Sequence, residues 1–579
     1  MPTRGGAVHV VTTRRHYKDK VYETVLLRRS YREAGKVRNE TVGNLSHLPP
    51  ETIELIKASL AGRRHVEAGE GFEISRALPH GHVAAVWAKA RSLGLPELIG
   101  PACPERDLAL ALVVARVCRP TSKLATTRWL PDTTLGVDLG VADASTDAVY
   151  GAMDWLLERQ GSIERRLAAR HLEAGGLVYF DLSSSWVEAS HCPLAARGFS
   201  RDHKAGKAQI EYGLLTDPEG CPVAVEVFAG NTADPTAFVA AVEKVRTTFS
   251  LGNEGGRVVM VGDRGMITSA RIAAIADLGG MGWITALRAP ALKALAGGGA
   301  IQLSLFDEAN LAEITHPDFP GERLVACRNP ALATERARKR EELLQATEAL
   351  LAPIAHAVES GRLVDADKIG LRAGRVINRY KMAKHFALDI AQGRFGYTRK
   401  LDEIDAEAAL DGIYVIRTSV DAATLGPSAV VEAYKALANV ERDFRSLKAV
   451  DLDLRPIHHR LEDRVRAHVL VCMLAAYLVW HLRRDWAPMC FTDEAPPART
   501  DPVAPAARSA AAERKASRRT TSDGETAHDF QSLLNHLATL TRNRIVFSGG
   551  VSIDKISTPT PTQRRAFELV GAPIPLVLR

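Results

Sequence analysis

LVYFDLSSSWVE, residues 177–188, is the stretch from which the rest of the chain is read. The apolar and aromatic run Leu177, Val178, Tyr179, Phe180 predicts a buried strand. It ends on a carboxylate, Asp181, and after Leu182 come three serines. A rigid sheet fixes a carboxylate at a strand end, and small residues beyond it leave room for a substrate backbone. A second stretch, VVMVGDRG from Val258, ends in the same way on Asp263. Two acidic strand ends in one sheet are the start of a metal site, although each Asp alone is equally well read as a turn cap after a strand.

Between and beyond them the pattern predicts a basic loop (Arg197 to Lys207), strands Gln209 to Thr216 and Pro222 to Phe228 joined by Asp217-Pro218-Glu219-Gly220, and a helix with Asp234 as N-cap and Pro235 at its first position. The strand ending at Asp263 follows, then a helix from about Thr268 and a strand from Trp283 to Leu287. Three antiparallel strands followed by alternating helix and strand is the order of a ribonuclease H-like fold: an α/β mixed sheet with helices on both faces. In that order the first and fourth strands are neighbours, so Asp181 and Asp263 meet at one edge. A third carboxylate comes from a helix expected over Val430 to Val450, where Tyr434, Glu441 and Lys448 recur every seven residues and Arg445 lies one turn past Glu441. Read alone, Glu441 and Arg445 are also an ordinary i,i+4 surface pair.

With these residues in place, Leu177 to Leu482 resembles the DDE transposases of bacterial insertion sequences, in the branch marked by a Tyr-Arg-Glu-Lys signature. The motifs are YFDLSSSW at Asp181, GFSRDHKAGKAQIEYGLLTDPEGCPVAVEVFAGNTAD, VGDRGMIT at Asp263 and YKALANVERDFRSLK at Glu441. The signature is met at Tyr434, Glu441 and Lys448, but its Arg position is Leu437. The resemblance implies catalytic and metal-binding roles for Asp181, Asp263 and Glu441 with two Mg2+ (or Mn2+) ions, Asp181 shared by both. It implies double-stranded DNA as partner: terminal inverted repeats are bound and cleaved, and the 3′-OH ends are joined to target DNA by a dimer assembled on paired ends. Tyr434 and Lys448 are then expected on phosphates, with Arg445, Arg442 and Arg264 as further DNA contacts and Arg445 the better substitute for the cation missing at Leu437. A structure-selective nuclease of the same fold and a non-catalytic DNA-binding descendant are the alternatives.

The remaining sequence frames this core. The net charge is +7, and ten Lys or Arg against four Asp or Glu place +6 of it in Met1 to Leu45. There, tyrosines alternate with Arg14, Arg15, Arg28 and Arg29 in a pattern suited to a phosphate-contacting hairpin. Residues 1–75 read as this basic DNA-binding module, with a helix over Leu48 to Glu67, and 76–173 as a helical domain. Residues 174–288 and 411–485 read as the two parts of the catalytic domain. The 178 positions from Asp263 to Glu441 exceed the plain fold, so 289–410 is expected to be an inserted α+β domain with a strand at Arg323 to Cys327 and a charged helix from Ala331 to Leu351, ahead of Pro353. The Ala/Pro-rich run Asp493 to Thr526 reads as a disordered linker, within a final segment 486–579. Seven scattered cysteines without a CxxC pair indicate neither a zinc ribbon nor a disulfide framework and fit a reducing cytoplasm. His458, His459 and His468 read as structural or phosphate-contacting residues. Met1 to Val21 lacks the apolar core of a signal peptide, and Val469 to Trp480 is too short for a bilayer; no membrane partner is expected.

Overall fold

The computed structural model describes residues 6–18, 20–33, 35–63, 71–204, 206–251, 258–306, 309–547 and 550–578. It divides into two compact units, Met1–Leu78 with Thr541–Ser557 and Pro79–Leu540 with Thr558–Arg579.

The first unit begins with an antiparallel sheet, β1 (Ala7–Tyr17), β2 (Lys20–Glu33) and β3 (Lys36–Asn44). The register pairs Arg15 with Tyr22 and His9 with Arg28, while Arg14 faces Glu23 and Val8 faces Arg29. Because side chains alternate across a strand, Arg15 and Arg28 share one face and Arg14 and Arg29 the other. The four arginines therefore do not form one surface. The helix expected over Leu48 to Glu67 spans Pro50–Leu60, and its expected end, residues 64–67, lies outside the described residues. Strand β4 (Phe72–Pro79) follows.

The second unit is built on an eight-stranded mixed sheet. Its strands in chain order are β5 (Leu177–Trp186), β6 (Gln209–Thr216), β7 (Pro222–Ala229), β8 (Val258–Val261), β9 (Met281–Ala286), β10 (Leu311–Ile314), β11 (Arg323–Arg328) and, after the hairpin β12 (Phe386–Ala391) and β13 (Arg394–Arg399), β14 (Ile413–Thr418). The spatial order is β10-β11-β14-β9-β8-β5-β6-β7. Antiparallel β5–β6–β7 with β8 parallel to β5 and β9 parallel to β8 is the ribonuclease H-like arrangement. Arg323 to Cys327, expected in the insertion, instead extends this sheet by pairing with β14, which pairs with β9. What stands apart has its own core, Leu344, Leu351, Ile354 and Val358 of the charged helix against Ile369, Met382 and Phe386. That helix runs Pro330–Glu359, straight through Pro353, where a stop was expected.

Helices cover both faces. Tyr179 reaches one side, its hydroxyl donating to the Ala433 carbonyl at 2.9 Å, while Phe180 meets Phe238 of helix Asp234–Thr247 on the other, ring centroids 6.2 Å apart. That helix is capped by Ala233, not Asp234, which is already its first residue. A helical layer includes Pro104–Cys118, Thr146–Leu157 and Glu462–Asp485. Among the described residues Glu462–Asp485 is the one helix long and apolar enough to cross a membrane, and most of it is buried in the core.

The expected linker is folded. Val503 is fully buried, helix Ala510–Arg518 lies within the run, and Lys515 Nζ donates to the Ala487 and Thr492 carbonyls at 2.7 and 3.1 Å. At the far end β15 (Thr541–Phe547) and β16 (Ser552–Ile556) join β4 in the first unit as a three-stranded sheet.

Candidate active site

Asp181 is not at a strand end: β5 continues through it to Trp186. What ends there is the parallel pairing with β8, whose last rung is Tyr179 opposite Val261. β8 has only four residues, so its chain turns off at Gly262 and leaves that side of β5 open. Asp263 sits in this turn. Arg288 braces it from behind, donating to the Arg264 and Gly265 carbonyls at 3.1 and 3.2 Å. With period-two alternation Asp181 faces the same side as Tyr179, toward the helices after β14.

Those helices are Pro427–Lys435 and Leu437–Arg445, separated at Ala436, and the turn continues as a π-helix over Ser446–Val450. The expected unbroken helix is therefore in three parts. They bring Tyr434, Leu437 and Glu441 onto one cavity of about 550 Å3 with Asp181, Asp263 and Arg201. Glu441 and Asp263 are exposed and Asp181 is half-buried. Lys448 is not with them. The wider π turn rotates the chain, and Lys448 is buried, its Nζ donating to Asp202 Oδ1 at 2.9 Å beside Arg455. Burial lowers its pKa, with Asp202 opposing. Arg442, Arg445 and Arg264 are exposed.

The electrostatics are those of crowded carboxylates. Burial pushes Asp181 up to about 7; the Leu182 N–H and Arg201 oppose this, while the charges of Asp263 and Glu441 add to it. Burial, and then the charge of Asp263, raise the Tyr434 phenol. Arg201, named in the sequence only as part of a basic loop, is central: its Nη2 donates to Asp234 Oδ1 at 2.7 Å and its Nη1 lies 3.3 Å from Glu211 Oε1. One guanidinium thus faces Asp181, Glu211 and Asp234, and burial pushes Glu211 up to about 7 despite it. Hard oxygen donors in such excess fit a divalent cation. The oxygens of Asp181, Asp263 and Glu441 do not all lie within 4.8 Å of one another; among the described residues the group that does is His171, Cys221 and His481. Lys435, beside Tyr434, is a missed structural anchor, donating to the Pro502 and Val503 carbonyls at 2.6 and 2.7 Å. His468 is likewise structural, bonded to Lys123 Nζ at 3.2 Å and the Leu454 carbonyl at 3.1 Å.

Among curated proteins none matches the chain. A solved piggyBac transposase synaptic complex with hairpin DNA is similar with a TM-score of 0.34 and 8% identity, over 81% of this chain and 82% of that one; a likeness of that size says nothing about function. Residues 10–71 match the N-terminal domain of IS1634 family transposases. Residues 187–478, half of the chain and including Asp263 and Glu441, match the transposase DDE domain, with Asp181 just ahead of the matched segment. The chain belongs to the DDE transposases.

Proposed function

We propose that this transposase binds the terminal inverted repeats of its own insertion sequence, cleaves the phosphodiester at each end and joins the 3′-OH to target DNA. The observation that supports it best is the meeting of Asp181, Asp263 and Glu441 on one cavity from two strand-associated positions and a helix. Two Mg2+ or Mn2+ ions would be held by these three carboxylates, with Asp181 shared, and when bound they would activate the attacking oxygen and stabilise the leaving one. Arg201 holds Asp234 and Glu211 and keeps positive charge beside Asp181. Tyr434 flanks Asp263 on the cavity wall, where it would orient a strand entering beside it. Leu437, also on the wall, donates nothing, so the exposed Arg445 and Arg442 are the nearest cations on that helix for phosphate contact. Arg264, exposed next to Asp263, would meet the DNA there, and the basic β1–β2 hairpin would supply further phosphate contacts.

Cleavage of paired-end DNA tests this reading. Nicking should require the matched inverted repeats and Mg2+ or Mn2+, and end-bound protein should run as a dimer by light scattering. Cutting that ignores the repeats would replace the reading with a structure-selective nuclease.

A further inference from the structure

A second group of ligand-bearing side chains lies in the same unit. His171 ends helix Gln160–His171, Cys221 precedes β7, and His481 belongs to helix Glu462–Asp485. One donor atom from each falls within 4.8 Å of the others. Cys221 Sγ is 3.9 Å from His171 Nε2. Two ligands of a tetrahedral zinc ion stand roughly 3.3–3.8 Å apart, given bonds near 2.0–2.1 Å to nitrogen and 2.3 Å to sulfur, so side-chain adjustments of under about 1 Å would close the site.

The surroundings fit this use. Asp217 Oδ2 faces His171 Nδ1 at 3.6 Å, while Asp217 Oδ1 is fixed by the Glu219 and Cys221 N–H groups at 2.9 and 2.8 Å. A carboxylate behind one imidazole nitrogen leaves the other to ligate. His171 Nε2 also meets Tyr477 Oη at 3.1 Å, as it would in a purely polar cluster. His481 does not fit that simpler account: its Nε2 is buried and has no hydrogen-bond partner among the described residues, walled by Tyr477 and Trp480 with ring centroids 4.7 and 4.8 Å away. A buried imidazole nitrogen without a partner, on a ring grouped with a thiol and a second imidazole, leaves a bonding position for one occupant.

We propose that His171, Cys221 and His481 form a zinc site distinct from the carboxylate cavity, with a water or Tyr477 in the fourth position. Two imidazoles and a sulfur suit zinc and not magnesium. Binding forms the Zn–S bond as the Cys221 thiol releases its proton to solvent. The ion would tie the β6–β7 turn to two helices. That turn abuts the Glu441 helix, where Asn439 Nδ2 donates to the Pro218 carbonyl at 3.2 Å, so the site clips the back of the active-site wall.

The test measures metal in full-length protein grown with zinc and purified without chelator, then titrates chelator-stripped protein with Co2+ alone. About one zinc per chain is expected, retained in the D181N/D263N/E441Q variant and reduced at least about fivefold in C221S and in H481Q. The Co2+ spectrum should show tetrahedral bands and thiolate charge transfer. Substoichiometric zinc in the wild type, equal zinc in C221S and H481Q, loss of zinc with the carboxylate variant, or an octahedral Co2+ spectrum without a thiolate band would each overturn the proposal.

Discussion

Asp181 concentrates the energetics of the carboxylate cavity, because burial and two neighbouring negative charges act on one side chain that β5 holds rigidly. Neutralising it, Asp263 or Glu441 removes a carboxylate charge from the cavity without removing cationic surface. D181N, D263N and E441Q should therefore each lower nicking on the order of 10³-fold, while gel-shift affinity for the ends stays within about twofold because phosphate contacts dominate binding. Normal nicking by any one of them would strike that residue from the site. At Leu437 the signature cation is missing, and Arg445, one turn past Glu441, is exposed. R445A should slow processing of the second strand more than the first nick in a time course with end-labelled DNA. Equal loss at both steps, or none, would reject that role.

At the scale of elements, the Glu441 helix is positioned by a turn from the sheet. Gly220 has φ +91, and a Cβ there would come within 2.9 Å of Asn439 Cβ and 3.2 Å of an Asp443 oxygen. That Asp443 oxygen is itself buried, so it has little room to give way. G220A combines strained backbone with a clash and should cost about 1–3 kcal/mol in chemical denaturation. Because the displaced neighbour carries Glu441, nicking should fall while end binding persists. A variant with wild-type stability and nicking would show that the turn does not position the helix.

Across the whole molecule, two distributed charges make predictions. In the β1–β2 hairpin Arg14 is already paired with Glu23, whereas Arg15 and Arg28 share the other face with Tyr22. R15Q/R28Q should reduce the slope of log K against log salt by up to about 1.8, at roughly 0.9 per lost phosphate contact, and R14Q/R29Q by less. The reverse order in a salt titration would assign DNA to the opposite face. Two histidines of the second unit are also shifted: burial, with His80 adding, lowers His82 to about 4, and partial burial followed by Lys123 and Arg116 lowers the half-buried His459 to about 3. Folded values below the unfolded 6.5 mean that the unfolded chain takes up protons first. Their full contribution to stability is present above about pH 6.5 and is lost as pH falls toward 4 and 3, at up to about 1.4 kcal/mol per pH unit per group. H459Q should flatten that dependence in urea melts between pH 7 and 5; an unchanged slope would contradict a lowered pKa at His459.

Local pattern carried the ribonuclease H-like order and pointed to Asp181, Asp263 and Glu441, which share one cavity, because strand alternation, a turn after an apolar run and a helical repeat are written over a few neighbouring residues; it put Asp181 at a strand end, whereas β5 runs on to Trp186. It overreached where one period was extended too far. The π turn at Ser446–Val450 sends Lys448 to Asp202, a partner 246 residues away, and no repeat in the helix announces it. Composition also misread Asp493 to Thr526 as disordered, since its order comes from partners outside the run: Lys435 donates to the Pro502 and Val503 carbonyls, Lys515 reaches the Ala487 and Thr492 carbonyls, and Val503 is buried. The same holds for β11, which leaves the insertion to pair with β14, and for β15–β16, which return to β4. The grouping of Arg201 with Asp234 and Glu211, and of Cys221 with His171 and His481, likewise joins distant segments. Such contacts depend on where the completed chain brings its segments together, and that is settled only when the sheet and helical layer close.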